Sequence, residues 1–151
     1  MTNVVSQDVI DLIKHFEGCA LVAYQCTGGK WTLGWGHTKN VMKGDTCTQA
    51  QADAWLAEDL AKSAAQVNEL VEVPLSDWQY GALVSFTFNL GAGALRRSTL
   101  RRLLNQGFYD MIPEQMALWV RSGGKITSGL VRRRAAEARM WQGKPWRDKK
   151  R

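Results

Sequence analysis

Three side chains that can take part in proton transfer lie close together near the N-terminus, in the stretch HFEGCALVAYQCTGGKWTLGWGHT (15–38). Glu17 stands at the end of an apolar helical pattern, Cys26 follows nine positions later, and Thr32 six positions after that. The negative end of the helix macrodipole and apolar neighbours both favour the protonated form of a carboxyl. Because general-acid catalysis needs a protonated group, Glu17 is the candidate proton donor.

The other two side chains suit the handling of a water molecule. The hydroxyl of Thr32 can hold water, and Cys26 can form weak hydrogen bonds through a thiol that is mostly protonated at neutral pH. A nucleophilic Cys/His pair would need His15 or His37, but no local cysteine-protease signature accompanies Cys26. We interpret His37 as a structural hydrogen-bonding residue.

The elements around these residues follow from local signals. Ser6 can cap a helix whose apolar stripe ends at Gly18, so that Glu17 falls in the last turn. The turn signal TGG (27–29) between two β-prone runs predicts an antiparallel hairpin over residues 20–38. Alternation along the second run places Thr32 on the face opposite its bulky apolar neighbours.

The chain after position 47 has a helical pattern nearly to its end. TQAQ (48–51) and SDWQ (76–79) fit the capping box, and Ser98 and Ser128 can cap later helices. These signals predict a single α+β domain with a small β lobe, a larger all-helical C-terminal lobe and a cleft between them, the default place for a binding site. The expected parts are helix plus β lobe (1–47), connecting helix (48–75), helical lobe (76–146) and basic tail (147–151).

Composition and charge restrict the class of protein. The 151 residues carry a net charge of +6, and 15 basic residues but only four acidic ones lie between positions 96 and 151. This asymmetry favours an anionic partner such as a cell-wall or outer-membrane polymer. The terminal stretch KPWRDKKR is interpreted as a solvated tail, with membrane contact through Trp146 as the alternative. No recognition helix for DNA is apparent, so we expect no nucleic acid partner.

The remaining features indicate a protein made in the cytoplasm. The three cysteines lack the paired spacing of a zinc site and are expected to be thiols. No apolar window is long enough for a membrane span, and the first residues do not have the pattern of a secretory signal.

The motif FEG…AY…C-TGGKWTLGWGHT, together with GLVRRRAAE (129–137), resembles the phage-type lysozymes, or endolysins, of glycoside hydrolase family 24. The catalytic pattern of that family is Glu, eight residues, Asp or Cys, five residues, Thr. Glu17, Cys26 and Thr32 match it with the spacing intact. The resemblance extends from about residue 6 to residue 143 and implies a lysozyme-like fold.

The resemblance implies hydrolysis of the β-1,4 bond between N-acetylmuramic acid and N-acetylglucosamine in bacterial peptidoglycan. Glu17 would protonate the leaving oxygen, Cys26 and Thr32 would act on the attacking water, and no metal or organic cofactor is expected. An arginine of the 132–134 cluster would lie near Glu17, and we predict Arg133 first and Arg132 next. The supporting candidates in the cleft are His37, Thr38, Phe88 and Asn89.

The resemblance also implies an inverting reaction by a monomer. The enzyme would be made in the host cytoplasm and would reach the periplasm after holin-dependent release. At Cys26, either a basic neighbour ionises the thiol or the placement of water matters more than charge.

The sequence leaves other functions open. A lytic transglycosylase would cut the same bond with a single acid and no water. A non-catalytic cationic protein could bind the wall or disrupt membranes without any use of Glu17.

Overall fold

The computed structural model describes residues 3–26 and 28–147. These residues form α-helices, four short strands and one 3₁₀ turn (Tyr109–Met111). The elements in chain order are α1 (Gln7–Glu17), β1 (Ala20–Gln25), β2 (Trp31–Gly34), α2 (Gln49–Leu70), α3 (Asp77–Leu90), α4 (Ala92–Arg97), α5 (Thr99–Asn105), α6 (Ile112–Met116), β3 (Arg121–Ser122), β4 (Lys125–Ile126) and α7 (Ser128–Trp141). Thr27 of the predicted turn and residues 148–151 of the predicted tail lie outside the described residues.

The helical body, made of α1 to α7, is built around α3. Eight consecutive residues of α3 (80–87) are buried, as the uninterrupted apolar pattern predicts, and α1, α2 and α7 pack around it. Helix α1 comes especially close, because a Cβ on Gly81 would lie 2.5 Å from Val9 Cγ2. Burial of Val9, Leu12 and Ile13 fixes α1, and with it the position of Glu17 at its end.

The β lobe (residues 19–47) is a small sheet, and the predicted hairpin is confirmed. Strands β1 and β2 pair antiparallel with Tyr24 opposite Thr32, and a bridge from Val22 to Thr46 adds the segment before α2. Thr32, Leu33 and Gly34 are buried in β2, whereas β1 has no buried residue. The lobe is therefore attached to the body mainly through β2, which packs against α2.

Local helix signals agree with the structure except at α1 and α7. Ser6 stands at the N-cap of α1, but its side chain makes no capping hydrogen bond. Both predicted capping boxes form, Ser98 caps α5, and Gly18 ends α1. The N-cap of α7 is Thr127, and the prediction of Ser128 is wrong. The Thr127 hydroxyl accepts a hydrogen bond from the backbone N–H of Leu130 at 3.2 Å.

Two further expectations for the C-terminal half are corrected. The lobe predicted as all-helical contains the β3–β4 hairpin, because Gly123 and Gly124 have φ values of 58° and 81° and form its turn. Trp146 is not part of a solvated tail, since it is buried with its ring 5.4 Å from His15 and 6.3 Å from Phe16. The C-terminal segment thus packs beside the end of α1.

Candidate active site

A cleft of about 1050 Å³ opens between the β lobe and the helical body. It is lined from the β side by the hairpin and from the helical side by the ends of α1, α3 and α7 and by one face of α2. Every site residue predicted from the sequence lies on its wall, namely Glu17, Cys26, Thr32, His37, Thr38, Phe88, Asn89, Arg132 and Arg133.

Glu17 is held by three features of its surroundings. Gly18, with φ of 65°, ends α1 directly after it. Its Oε2 accepts a hydrogen bond from Arg133 Nη1 at 2.7 Å, and only 18% of its side chain is exposed. On the other side the carboxylate lies so close to Gly36 that a Cβ there would overlap Oε1. The only titratable carboxyl of α1 in the cleft therefore has a defined orientation.

Cys26 directly follows β1, and Thr32 lies in β2, the neighbouring strand of the β lobe. The Cys26 N–H donates to the Lys30 carbonyl at 2.9 Å, and the buried Thr32 hydroxyl donates to the same carbonyl at 3.1 Å. Burial raises the pKa of the Cys26 thiol, but hydrogen bonds from the backbone of Lys30 and Gly28 lower it. The Thr32 hydroxyl adds to this effect, and the resulting pKa is below that of an ordinary thiol. Hydrogen bonds favour the thiolate, and among the described residues no basic side chain is a cause of the shift.

Tyr24 connects the two sides of the site electrostatically. It lies opposite Thr32 in the sheet and lines the cleft with its side chain partly exposed. Burial raises the pKa of the Tyr24 phenol, and the negative charges of Glu17 and Cys26 raise it further. One phenol is therefore within electrostatic reach of both groups.

The three adjacent arginines of α7 have different surroundings. Arg133 is 3% exposed and contacts Glu17, while Arg132 is exposed on the rim of the cleft. Arg134 is 1% exposed and points into the body, where burial lowers the pKa of its guanidinium and Glu137 opposes that change. Helical geometry separates neighbouring side chains by about 100°, so a single arginine of the three meets Glu17.

The supporting candidates have mainly structural partners. His37 is buried, its Nδ1 lies 2.7 Å from Asp59 Oδ2, and its ring stacks on Trp55 at 4.6 Å. These contacts fit the interpretation of His37 as a hydrogen-bonding residue that ties the β lobe to α2. Thr38 is exposed on the rim of the cleft and is free to meet a ligand there.

Phe88 and Asn89 lie in the last turn of α3 on the opposite wall, half buried. The Asn89 side-chain oxygen accepts a hydrogen bond from Arg134 Nη2. Helix α3 continues to Leu90, and Gly91 is its C-cap.

Sequence reasoning missed several residues of the site. Tyr24 shares strand parity with Cys26, and Gly36 lies inside GWGHT, so both carried a signal that was available. Asp59 carried none, because it meets His37 only after α2 packs against the β lobe. Glu137 lies three and four positions after its arginine partners in GLVRRRAAE, so it also carried a local signal. The described residues contain no group of three or more His, Cys, Asp or Glu side chains suited to hold a metal ion.

Comparisons with known proteins agree with this geometry. The family model described as phage lysozyme matches residues 14–137. An endolysin of Acyrthosiphon pisum secondary endosymbiont phage 1 is 43% identical over 142 residues, which cover 91% of this chain and 97% of that protein. Two solved structures are similar. The muramidase domain of SpmX from Asticcacaulis excentricus has a TM-score of 0.82 and 36% identity, covering 92% and 97% of the two chains. The endolysin from Escherichia coli O157:H7 phage FAHEc1 has a TM-score of 0.80 and 35% identity, covering 91% and 92%.

The chain therefore belongs to the phage lysozyme family. It is a lysozyme-type glycoside hydrolase, a muramidase, and the predicted lysozyme-like α+β fold is confirmed. Its activity is that of a phage endolysin, which acts on the bacterial cell wall. Among residues 3–26 and 28–147, no helix combines the length and apolar composition needed to cross a membrane.

Proposed function

We propose that this endolysin hydrolyses the β-1,4 bond between N-acetylmuramic acid and N-acetylglucosamine, with Glu17 as the general acid. The observation that carries the proposal is the place of Glu17 in the cleft, oriented by Arg133 and facing the lobe that holds Cys26 and Thr32. Glu17 gives its proton to the bridging oxygen while the bond from that oxygen to the anomeric carbon breaks.

The water is assigned to the β side of the cleft. The Thr32 hydroxyl uses its single O–H as a donor, so the lone pairs of its oxygen are available to accept a hydrogen bond from a water molecule. The lowered pKa of Cys26 increases the thiolate fraction, which can accept a proton from that water as it attacks the anomeric carbon. Solvent then returns the proton from Cys26 to Glu17, and the site is restored.

Attack from the face opposite the acid gives an inverted anomeric centre. Acid and water are supplied by different lobes, which supports this outcome. The proposal also assigns action in the periplasm as a monomer, after synthesis in the host cytoplasm and holin-dependent release. The exposed arginines Arg96, Arg97 and Arg102 of α4 and α5 add affinity for anionic wall or outer-membrane polymers, and salt should weaken this binding.

Mass spectrometry of the muropeptides released from purified sacculi tests the reaction type. Hydrolysis leaves reducing N-acetylmuramic acid ends, which sodium borohydride converts to the alditol. A transglycosylase would leave 1,6-anhydro ends that resist reduction, and this result would contradict the use of water. Proton NMR of the first products distinguishes inversion from retention.

A further inference from the structure

A buried carboxylate that the proposed reaction does not use lies directly behind Arg133. Glu137, four residues later on α7, has 0% exposure. Its Oε2 accepts hydrogen bonds from Ser85 Oγ at 2.6 Å and from Arg133 Nε at 3.3 Å. A buried carboxyl without partners is strongly destabilising, so these contacts fix the place of Glu137 between α3 and α7.

Arg133 forms a bridge from this carboxylate to the catalytic one. Its Nε faces Glu137, its Nη1 donates to Glu17 at 2.7 Å, and its Nη2 lies 3.4 Å from the Ser85 carbonyl. A guanidinium is planar with donors in fixed directions. Once Nε is held on Glu137, the direction of Nη1 is determined as well.

The two positive charges of Arg133 and Arg134 are matched by two negative charges only if the carboxylate of Glu137 is included with that of Glu17. Arg133 and Arg134 are both nearly fully buried, and Arg134 Nε lies 3.1 Å from the second oxygen of Glu137. Arg134 Nε and this oxygen attract each other by charge, but they are not aligned for a hydrogen bond, and neither atom has a hydrogen-bond partner among the described residues. Two guanidiniums thus face two carboxylates, Glu137 inside and Glu17 at the cleft. Without Glu137 the arginines would repel each other, and both would be drawn to Glu17.

We propose that Glu137 is a positioning residue for catalysis, which holds Arg133 in the orientation that fixes the Glu17 carboxyl. The proposal rests on the proposed role of Glu17 as general acid. Glu137 does not line the cleft, and its connection to Glu17 runs through Arg133. Its loss should therefore lower kcat and leave KM almost unchanged, because the misplaced group is the proton donor.

A double-mutant cycle with soluble glycan fragments tests this coupling. Glu137→Gln should lower kcat by about tenfold or more, with KM within about twofold of the parent value. In an Arg133→Met background the same substitution should change kcat by less than about twofold, because the bridge is already lost. An equal reduction in both backgrounds would show that Glu137 only supports folding and would overturn the proposal, as would an unchanged kcat in Glu137→Gln.

Ser85→Ala keeps the test valid if Glu137→Gln does not fold. It removes the hydrogen bond to Glu137 and a 3.4 Å contact from Arg133 Nη2 to the same hydroxyl, without a change in charge. We expect kcat to fall about fivefold, again only when Arg133 is present. Leu100→Ala, in the buried face of α5, is the control for lost stability, and its kcat below the melting temperature should match the parent. Glu17→Gln separates the two proposals, because full activity in that variant would refute the proposed function whatever the behaviour of Glu137.

Discussion

The two sides of the cleft are supported very differently. Glu17 is at the end of a helix anchored by three buried apolar residues, and a buried arginine holds its carboxylate. Cys26 and Thr32 belong to a two-stranded hairpin whose first strand has no buried residue, with Val22 62% exposed. An isolated two-stranded hairpin is marginal in water, so the β side depends on the packing of β2 against α2.

This difference suggests that the helical side of the cleft holds its catalytic group in one position, whereas the β side tolerates more than one arrangement. Proton donation needs one oxygen at one place, and the helical body can provide that. Water is small, and a hydroxyl with a thiol can hold it in more than one arrangement. Substitutions that move Glu17 should therefore cause steep losses of activity, and those on the hairpin should cause graded losses.

Apart from removal of the Glu17 carboxyl itself, the largest effect is expected from Gly36→Ala. The new Cβ would overlap Glu17 Oε1, and the carboxylate must move by an ångström or so to accommodate it. We expect a loss of about 10²-fold in kcat, measured on purified peptidoglycan. Gly44→Ala is the matched control, because Gly44 also has positive φ but a Cβ there would meet nothing within 4 Å. Both variants should lose about 1 kcal/mol of stability through backbone strain, and equal activity losses would contradict the steric explanation.

A graded series at Cys26 examines the β side. Cys26→Asp should keep a good share of the parent rate, since a carboxylate can accept a proton and orient water. Cys26→Ser should lose about tenfold to a hundredfold, because a hydroxyl is a much weaker base than a thiolate. The initial rate of muropeptide release measures the series, and a Cys26→Ala variant as active as the parent would remove Cys26 from the mechanism.

Alkylation by iodoacetamide shows the ionisation of the thiols directly. The pKa of Cys26 is lowered, whereas burial and the nearby Cys19 thiol raise the pKa of Cys47. Since the thiolate is the reactive form, Cys26 should react well before Cys47 at neutral pH, and its reaction should fall off only at a lower pH. Peptide mass spectrometry gives the order. Activity should disappear with Cys26 modification, while Cys26→Asp should be resistant, and a faster reaction at Cys47 would contradict the assignment.

The smallest effect on chemistry is expected from Trp146→Ala. Trp146 packs against His15 and Phe16, so its loss should reduce the free energy of unfolding by about 2–3 kcal/mol. The rate should fall by less than about threefold, because Val9, Leu12 and Ile13 still fix α1. Thermal unfolding measures the change, with Trp78→Ala as control, since Trp78 is 43% exposed. If Trp146→Ala and Trp78→Ala lose equal stability, the packing of Trp146 against α1 does not stabilise the fold.

Much of the fold follows from local chemistry in the sequence. The capping boxes at Thr48 and Ser76 and the stop at Gly18 are interactions within one helical turn, and the apolar run of α3 predicts burial without knowledge of its neighbours. The cap at Thr127 was missed because Thr127 and Ser128 are adjacent and equally suited. Thr127 still has an extended backbone, and its N–H donates to the Val120 carbonyl at 3.0 Å, so the helix begins after it.

Sequence spacing predicts part of the candidate site but not the contacts that support it. The spacing of Glu17, Cys26 and Thr32 is a local pattern, and the structure places all three on one cleft. The partner of His37 lies 22 positions away on α2, and Ser85 meets Glu137 across 52 positions. Such pairs depend on how helices dock, which periodicity does not specify. The prediction of a solvated tail around Trp146 is wrong for the same reason. The basic residues beside Trp146 give no sign of its contact with the end of α1.

The muropeptide-release rate of Glu17→Gln decides whether Glu17 is the proton donor. Glu58→Gln is the matched control, because Glu58 lines the same cleft on α2 and is exposed. We predict a loss of about 10³-fold or more for Glu17→Gln, with an unchanged fold by circular dichroism, and a rate within about threefold of the parent for Glu58→Gln. A Glu17→Gln enzyme that works at the parent rate would contradict the account.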